Sequence, residues 1–269
     1  VLTCSVDVNK KDSWLGIEII GHCLSGQTYI IAKGRIHGSL DKDGNTWKAL
    51  EHIIDSKYLS DDNIEYEIAI TAIDCGYRRD EVFHFTNSHP FSIPVRGVEK
   101  LSGSKKHHKV IIDGTKVFNI DTRYYKIQLF EYLNLQWEGR PQIQPYNFPN
   151  YPDDIYSGGF EKMNLGEQFG VGISGNGFDE DFFKTYESEV PIYVDLPDGS
   201  KAVKGFKKRT PNNHFLDTHV YNLAAIEIYI RIICDVWDIP RMDKWSMMAD
   251  FNRFFSENNV PFLLEYFEL

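Results

Sequence analysis

The chain has 269 residues, of which 42% are hydrophobic, 14% aromatic and 25% charged, the profile of a folded globular protein of one large or two small domains, so disorder and collagen-like structure are excluded. Its longest apolar runs, such as residues 223–234, are interrupted by Glu227 and Arg231 and stay short of the roughly 20 residues a bilayer crossing needs, which predicts a protein without membrane spans. The net charge of −10 argues, taken alone, against a nucleic-acid partner.

Residues Leu2 to Val8 alternate apolar with small or polar side chains, and Trp14 to Gly21 and Thr28 to Ile36 follow as β-rich runs between short polar turns, a three-strand meander. Asn45 stands as an N-cap before a helix in which Trp47, Leu50, Ile53, Ile54 and Tyr58 recur at helical spacing. Tyr66 to Ile73 reads as a strand ending in Asp74-Cys75-Gly76-Tyr77, Arg79 to Asn87 as a helix, and Phe91 to Val95 as a strand whose Pro94 predicts an edge or end position. Lys109 to Ile120 is a hairpin turning at Asp113-Gly114, after which Asp121 caps an amphipathic helix reaching Leu133. Residues 136–205, rich in Pro, Gly and acidic side chains, read as an elaborated loop or insertion with short strands such as Ile192 to Leu196. Phe215 to Trp237 is a long apolar helix, and 235–269 a helical, acidic tail.

This order predicts an α/β protein: a mixed sheet of three antiparallel strands followed by crossover strands, flanked by helices, the ribonuclease H-like arrangement, with residues 1–234 as the main domain. A doubly wound dinucleotide fold would alternate strand and helix from its first strand. Four cysteines, Cys4, Cys23, Cys75 and Cys234, lie far apart with no C-x-x-C pair, so neither a zinc ribbon nor a disulfide framework is indicated and a reducing cytoplasm is expected. The chain starts on a strand without Met or a signal peptide, which suggests a domain cut from a longer protein.

Charge is unevenly spread. Residues 150–199 hold eleven acidic against two basic side chains and residues 235–269 seven against three, so the remainder is net basic. Two basic clusters stand in it, at 100–109 and 201–209. Their bland reading is a solvated face; their functional reading is phosphate contact, with Lys105, Lys106, Lys207, Lys208 and Arg209 as the DNA-binding candidates.

Three carboxylates occupy costly places: Asp7 inside an apolar strand, Asp74 at the end of a buried strand, and Asp217 at the start of the late apolar helix. Gathering several buried carboxylates is unfavourable unless a cation neutralises them. Two Mg²⁺ or Mn²⁺ ions about 4 Å apart, with hard oxygen ligands, would resolve the conflict and serve phosphodiester hydrolysis. Each has a structural alternative: strand-end turn for Asp7, Asx turn for Asp74, helix cap for Asp217. Rival motifs fare worse. Residues Gly170 to Gly175 spell G-x-G-x-x-G without a preceding strand, a loop reading; no G-x-x-x-x-G-K-[ST] occurs; His107 and His108 would point apart in a strand; and no nucleophile motif is present.

Ser5-Val6-Asp7-Val8, Ile73-Asp74-Cys75-Gly76-Tyr77 and Leu216-Asp217-Thr218-His219-Val220-Tyr221-Asn222-Leu223-Ala224-Ala225 together resemble the first-strand G-V-D-V, the I-D-S-G-Y and the L-D-x-x-V-Y-A-L-A-A of the C-terminal nuclease domain of tailed-phage terminase large subunits, lambda (GpA-like) type. Phe91 to Gly97 is similar to that family's V-F-P-V-K-G, Phe118 to Thr122 to its strand-then-helix, Tyr146 to Pro149 to its I-H-F-P, and Lys207-Lys208-Arg209 to its preceding basic stretch. The resemblance implies a metal-dependent endonuclease that cuts concatemeric double-stranded viral DNA during packaging, with an upstream packaging ATPase domain that this chain lacks. On this reading Asp7 bridges the ions, Asp74 and Asp217 complete the site, and small terminase subunit and portal are further partners. The family's Glu in N-E-A-L-D is His214 here, expected beside the metal ligands rather than among them. Residues 150–200 are longer and more acidic than the family pattern. The alternatives are a recombinase or junction resolvase of the same architecture, or a non-catalytic assembly module.

Overall fold

The computed structural model describes residues 1–9, 13–23, 28–60, 63–103, 105–137, 146–147, 160, 163–175 and 177–236; the expected tail helix beyond Val236 lies outside them. Alternation in the first segment makes a strand with two unlike faces. In β1 (Leu2–Asn9), Leu2, Cys4, Val6 and Val8 enter one hydrophobic core, while Thr3 and Ser5 face the other way. β2 (Trp14–His22) and β3 (Thr28–His37) complete the antiparallel meander, with Asp7 opposite Gly16 and Glu18 opposite Lys33.

The chain then runs through α1 (Asn45–Ile54), a small hairpin of β4 (Tyr58–Leu59) and β5 (Glu65–Tyr66), β6 (Ile68–Asp74), α2 (Arg79–Ser88), β7 (Ser92–Val98), β8 (His107–Ile112), β9 (Thr115–Asp121) and α3 (Thr122–Trp137). The hairpin splits the single strand expected from Tyr66 onward. Asn45 is the first helical residue and not the cap; Gly44 takes that place, its carbonyl accepting from the N–H groups of Trp47 and Lys48 at 3.0 and 3.2 Å. Asp121 does cap α3, accepting from the Tyr124 N–H at 2.9 Å. Asp113 and Gly114 both adopt positive φ, as a two-residue hairpin turn demands.

There follow β10 (Tyr146–Asn147), α4 (Leu165–Phe169), β11 (Gly172–Ser174), α5 (Glu180–Tyr186), β12 (Glu189–Asp195), β13 (Lys201–Lys208) and α6 (His214–Val236). The main sheet has the order β10-β3-β2-β1-β6-β7-β9-β8, with β11 also pairing β3, and β1, β6, β7 and β9 run parallel at its centre. Pro94 therefore lies in an interior strand, against expectation. The bonds from Thr71 N–H to Phe91 O and from Cys75 N–H to Val95 O turn the odd-numbered groups of β7 toward β6, so the proline nitrogen faces β9, whose pairing begins only at Val95. Helices cover both faces: α1, α2 and α4 over one core, α3, α5 and α6 over the other. This is the ribonuclease H-like arrangement expected. The segment after residue 136 is more regular than its composition suggests, since β11 extends the sheet edge where a loop was expected and β12 with β13 forms a separate two-stranded ribbon.

Candidate active site

The site follows from the pleat and one helix. Thr3 and Ser5 face α6, where the Thr3 hydroxyl donates to Asn222 Oδ1 at 2.8 Å and the Ser5 hydroxyl to Thr218 O at 2.7 Å. Two residues on, Asp7 belongs to the same face. β6 runs parallel to β1 with Val6 opposite Ile73, so Asp74 ends its strand beside Asp7, on the α6 face with Ile70 and Ala72. The N-terminal turn of α6 supplies Asp217, where the helix dipole favours a carboxylate. The structure thus brings all three predicted carboxylates to one end of the sheet. Gly16, opposite Asp7, makes room for the Trp14 ring, since a Cβ there would stand 2.8 Å from it. Gly97 plays the same part behind Asp74, since a Cβ would meet Thr122 and the Tyr221 hydroxyl at 2.9 Å each.

Each carboxylate has distinct partners. Asp74 accepts from Gly76 N–H at 3.0 Å. Burial first, then the charges of Asp7 and Asp217, raise it to about 7, partly offset by Gly76 and the Tyr221 hydroxyl. Asp217 is raised to about 6 by burial, against the pull of Lys126, with Asp7 and Glu189 adding to the rise. Asp7 is hydrogen-bonded to His214 Nδ1, and His214 Nε2 accepts from Asn9 Nδ2 at 3.1 Å, a pairing that assigns the Nδ1–H tautomer. Trp14 meets the imidazole edge-on at 4.5 Å between centroids. His214 is therefore in direct contact with Asp7.

Sequence reading missed four contributors. Lys126 of α3 reaches both Glu189 Oε2 at 2.8 Å and Asp217 Oδ1 at 3.3 Å. Asn213 donates to Asp217 Oδ2 and to Glu189 Oε1. Tyr221 lies one helical turn beyond Asp217, and that i, i+4 spacing was the one available signal for it. The basic candidates divide. Lys105, Lys207, Lys208 and Arg209 are exposed, Lys208 Nζ lying 3.2 Å from Asn213 Oδ1. Lys106 is half-buried, 3.4 Å from Glu227 Oε1 and 4.6 Å from the Tyr124 ring centroid.

Among the described residues no three His, Cys, Asp or Glu side chains form a ready-made metal cage. The donor set nevertheless suits a hard cation. It is all carboxylate oxygen, and Asp74 and Asp217, raised first by burial and then by the Asp7 charge, have Lys126 as a counter-charge at Asp217 alone.

A mixed sheet of this order with carboxylates at the ends of its central strands is the arrangement of a ribonuclease H-like nuclease. The chain belongs to the family of the terminase large subunit gpA endonuclease domain, whose model matches residues 1–232 and so includes every residue of the site. No curated protein and no solved structure matches it. Family membership gives the chain a nuclease role in phage DNA packaging. Among the described residues no helix is long and apolar enough to cross a membrane.

Proposed function

We propose that the chain is a Mg²⁺- or Mn²⁺-dependent, two-ion endonuclease that cuts concatemeric double-stranded viral DNA, working with an upstream packaging ATPase domain, the small terminase subunit and the portal. The observation that carries this reading is the convergence of Asp7, Asp74 and Asp217 from β1, β6 and α6 on one end of the sheet. Asp7, whose charge acts on both other carboxyls, would hold the ions together with Asp74 and Asp217. Bound divalent ions supply Lewis acidity toward the phosphodiester and its attacking water. The protein supplies position. His214 fixes the rotamer of Asp7, Gly76 N–H orients Asp74, and Asn213 with Lys126 orients Asp217. Lys207, Lys208 and Arg209 at the end of β13 face solvent beside this cluster and would hold the phosphate backbone.

The test is nicking or linearisation of supercoiled plasmid with Mg²⁺ or Mn²⁺, and its abolition by EDTA. Asp7→Asn should keep the fold and lose activity beyond the roughly hundredfold that loss of an outer partner costs. Wild-type rates in Asp7→Asn, or cleavage undiminished in EDTA, would overturn the proposal.

A further inference from the structure

Lys126 is an unusual lysine. Its side chain is 10% exposed, and its ammonium lies between two carboxylates from different elements, Glu189 at the root of the ribbon and Asp217 on α6. The helix that carries it is fixed: Asp121 caps α3, Tyr125 and Leu129 are fully buried, and Arg123 Nη2 donates to Val203 O of β13 at 2.6 Å. The ribbon is tied to the same place from its other strand. Glu189 pairs with Lys208 in register, Asn213 donates to both Glu189 and Asp217, and Lys208 Nζ donates to Asn213 Oδ1. The exposed basic end of β13 is therefore one side chain away from a site carboxylate.

We propose that Lys126 is a positioning residue of the nuclease site: a built-in cation that holds the Asp217 carboxylate in its working orientation and locks it, through Glu189 and Asn213, to the root of the β12–β13 ribbon. The inference rests on the metal-dependent reading above. It has an electrostatic consequence that a merely structural role lacks. A fixed positive charge beside Asp217 repels a divalent cation, so its loss strengthens metal binding while it frees Asp217 to leave the geometry that turnover needs.

The experiment is titration calorimetry of wild type and variants with Mn²⁺, beside plasmid cleavage at saturating Mn²⁺ and thermal unfolding. Lys126→Met should bind Mn²⁺ at least about fivefold more tightly, as loss of one unit charge a few ångströms from a divalent ion implies. Its kcat should fall by about 10- to 100-fold, with KM for DNA nearly unchanged, the scale of losing an outer partner. Because Lys126→Met leaves the buried Glu189 without its counter-charge, the double variant Lys126→Met/Glu189→Gln is made with it. That variant removes one charge of each sign, so its Mn²⁺ affinity should return to within about twofold of wild type while the kcat loss remains. Lys126→Arg, which keeps the charge, should restore much of the turnover. Mn²⁺ affinity that is unchanged or weaker in Lys126→Met, or wild-type kcat in the double variant, would overturn the role of Lys126 and leave the nuclease reading standing. A wild-type protein that neither binds Mn²⁺ nor cuts DNA would overturn both.

Discussion

Burial and the charges of Asp7 and Asp217 raise the Asp74 carboxyl to about 7, whereas in the unfolded chain it titrates near 3.8. Between those values the folded protein holds a proton that the unfolded chain has released, so this residue's contribution to stability is full below about 4 and is lost as pH rises through about 7. Metal-free protein in EDTA should then show a stability gap between Asp74→Asn and wild type that grows in favour of the variant from pH 5 to pH 8. Thermal unfolding of both proteins across that range measures it, and a gap independent of pH would mean that Asp74 is charged throughout. The same conflict made the three carboxylates legible in the sequence, because each broke an apolar pattern. Lys126 broke none. In Arg123-Tyr124-Tyr125-Lys126-Ile127-Gln128 it reads as one polar position on a helix, and its burial depends on a ribbon more than 60 residues further along the chain folding over α3. Asn213 was hidden likewise, since its amide matters through partners on β12 and α6 that sequence does not place together.

Signals decided within a few residues were on the whole read more surely than those set by tertiary pairing, the Asn45 cap, whose place Gly44 takes, being a local exception. The Asp113-Gly114 turn, the Asp121 cap and the meander are decided within a few residues. Pro94 misled because an interior strand tolerates proline where one neighbour has not yet begun to pair, which depends on register and not on the strand's own sequence. Gly170 to Gly175 reads as a loop from sequence, yet Gly172–Ser174 pair with Arg35 to His37 on the edge that β3 provides. The ribbon carries the element-scale prediction. Lys207, Lys208 and Arg209 are exposed at its end, and if all three touch phosphate, their joint replacement by Ala should flatten the slope of log K against log salt by about two to three units. Lys106→Ala should change that slope less than Lys105→Ala, because Glu227 and the Tyr124 ring already engage the Lys106 ammonium. Binding titrations on two unrelated duplexes across a salt series decide both, and an unchanged slope in the triple variant would remove the ribbon from the DNA path.

At the scale of the whole molecule the sheet separates two cores, and the face beneath α6 is the more polar of the two. Glu18, Thr218, His219, Tyr186 and Asn222 form a buried network there. Lys33, opposite Glu18, is bonded to the carbonyls of Gly175 and Gly177 and lies over Phe178, Phe182 and Phe215. Hydrogen bonds of that kind fix the helix along the strands more narrowly than apolar contact would, and so set where the N-terminus of α6 meets Asp7 and Asp74. The succession of strands and helices along the chain could largely be read from periodicity, but this polar layer could not, because Glu18 and Lys33 look like outward-facing residues of a half-exposed meander until α5 and α6 cover them.

A site assembled from three separate elements couples cation binding to the stability of the whole fold. If Mn²⁺ binds the folded chain alone, a concentration one hundred times its dissociation constant adds about 2.7 kcal/mol, or a rise in Tm of about 5–10 °C for a domain of this size. The rise should be largest near pH 8, where Asp74 and Asp217 have both lost their protons. At a fixed Mn²⁺ concentration it should shrink at pH 5, where the ion must displace protons from carboxyls raised to about 7 and about 6. Scanning calorimetry of wild type with and without Mn²⁺ at the two pH values, beside Asp7→Asn, is the measurement. An equal rise at both pH values, or one retained in Asp7→Asn, would place the ion elsewhere on the protein and detach Asp7, Asp74 and Asp217 from metal chemistry.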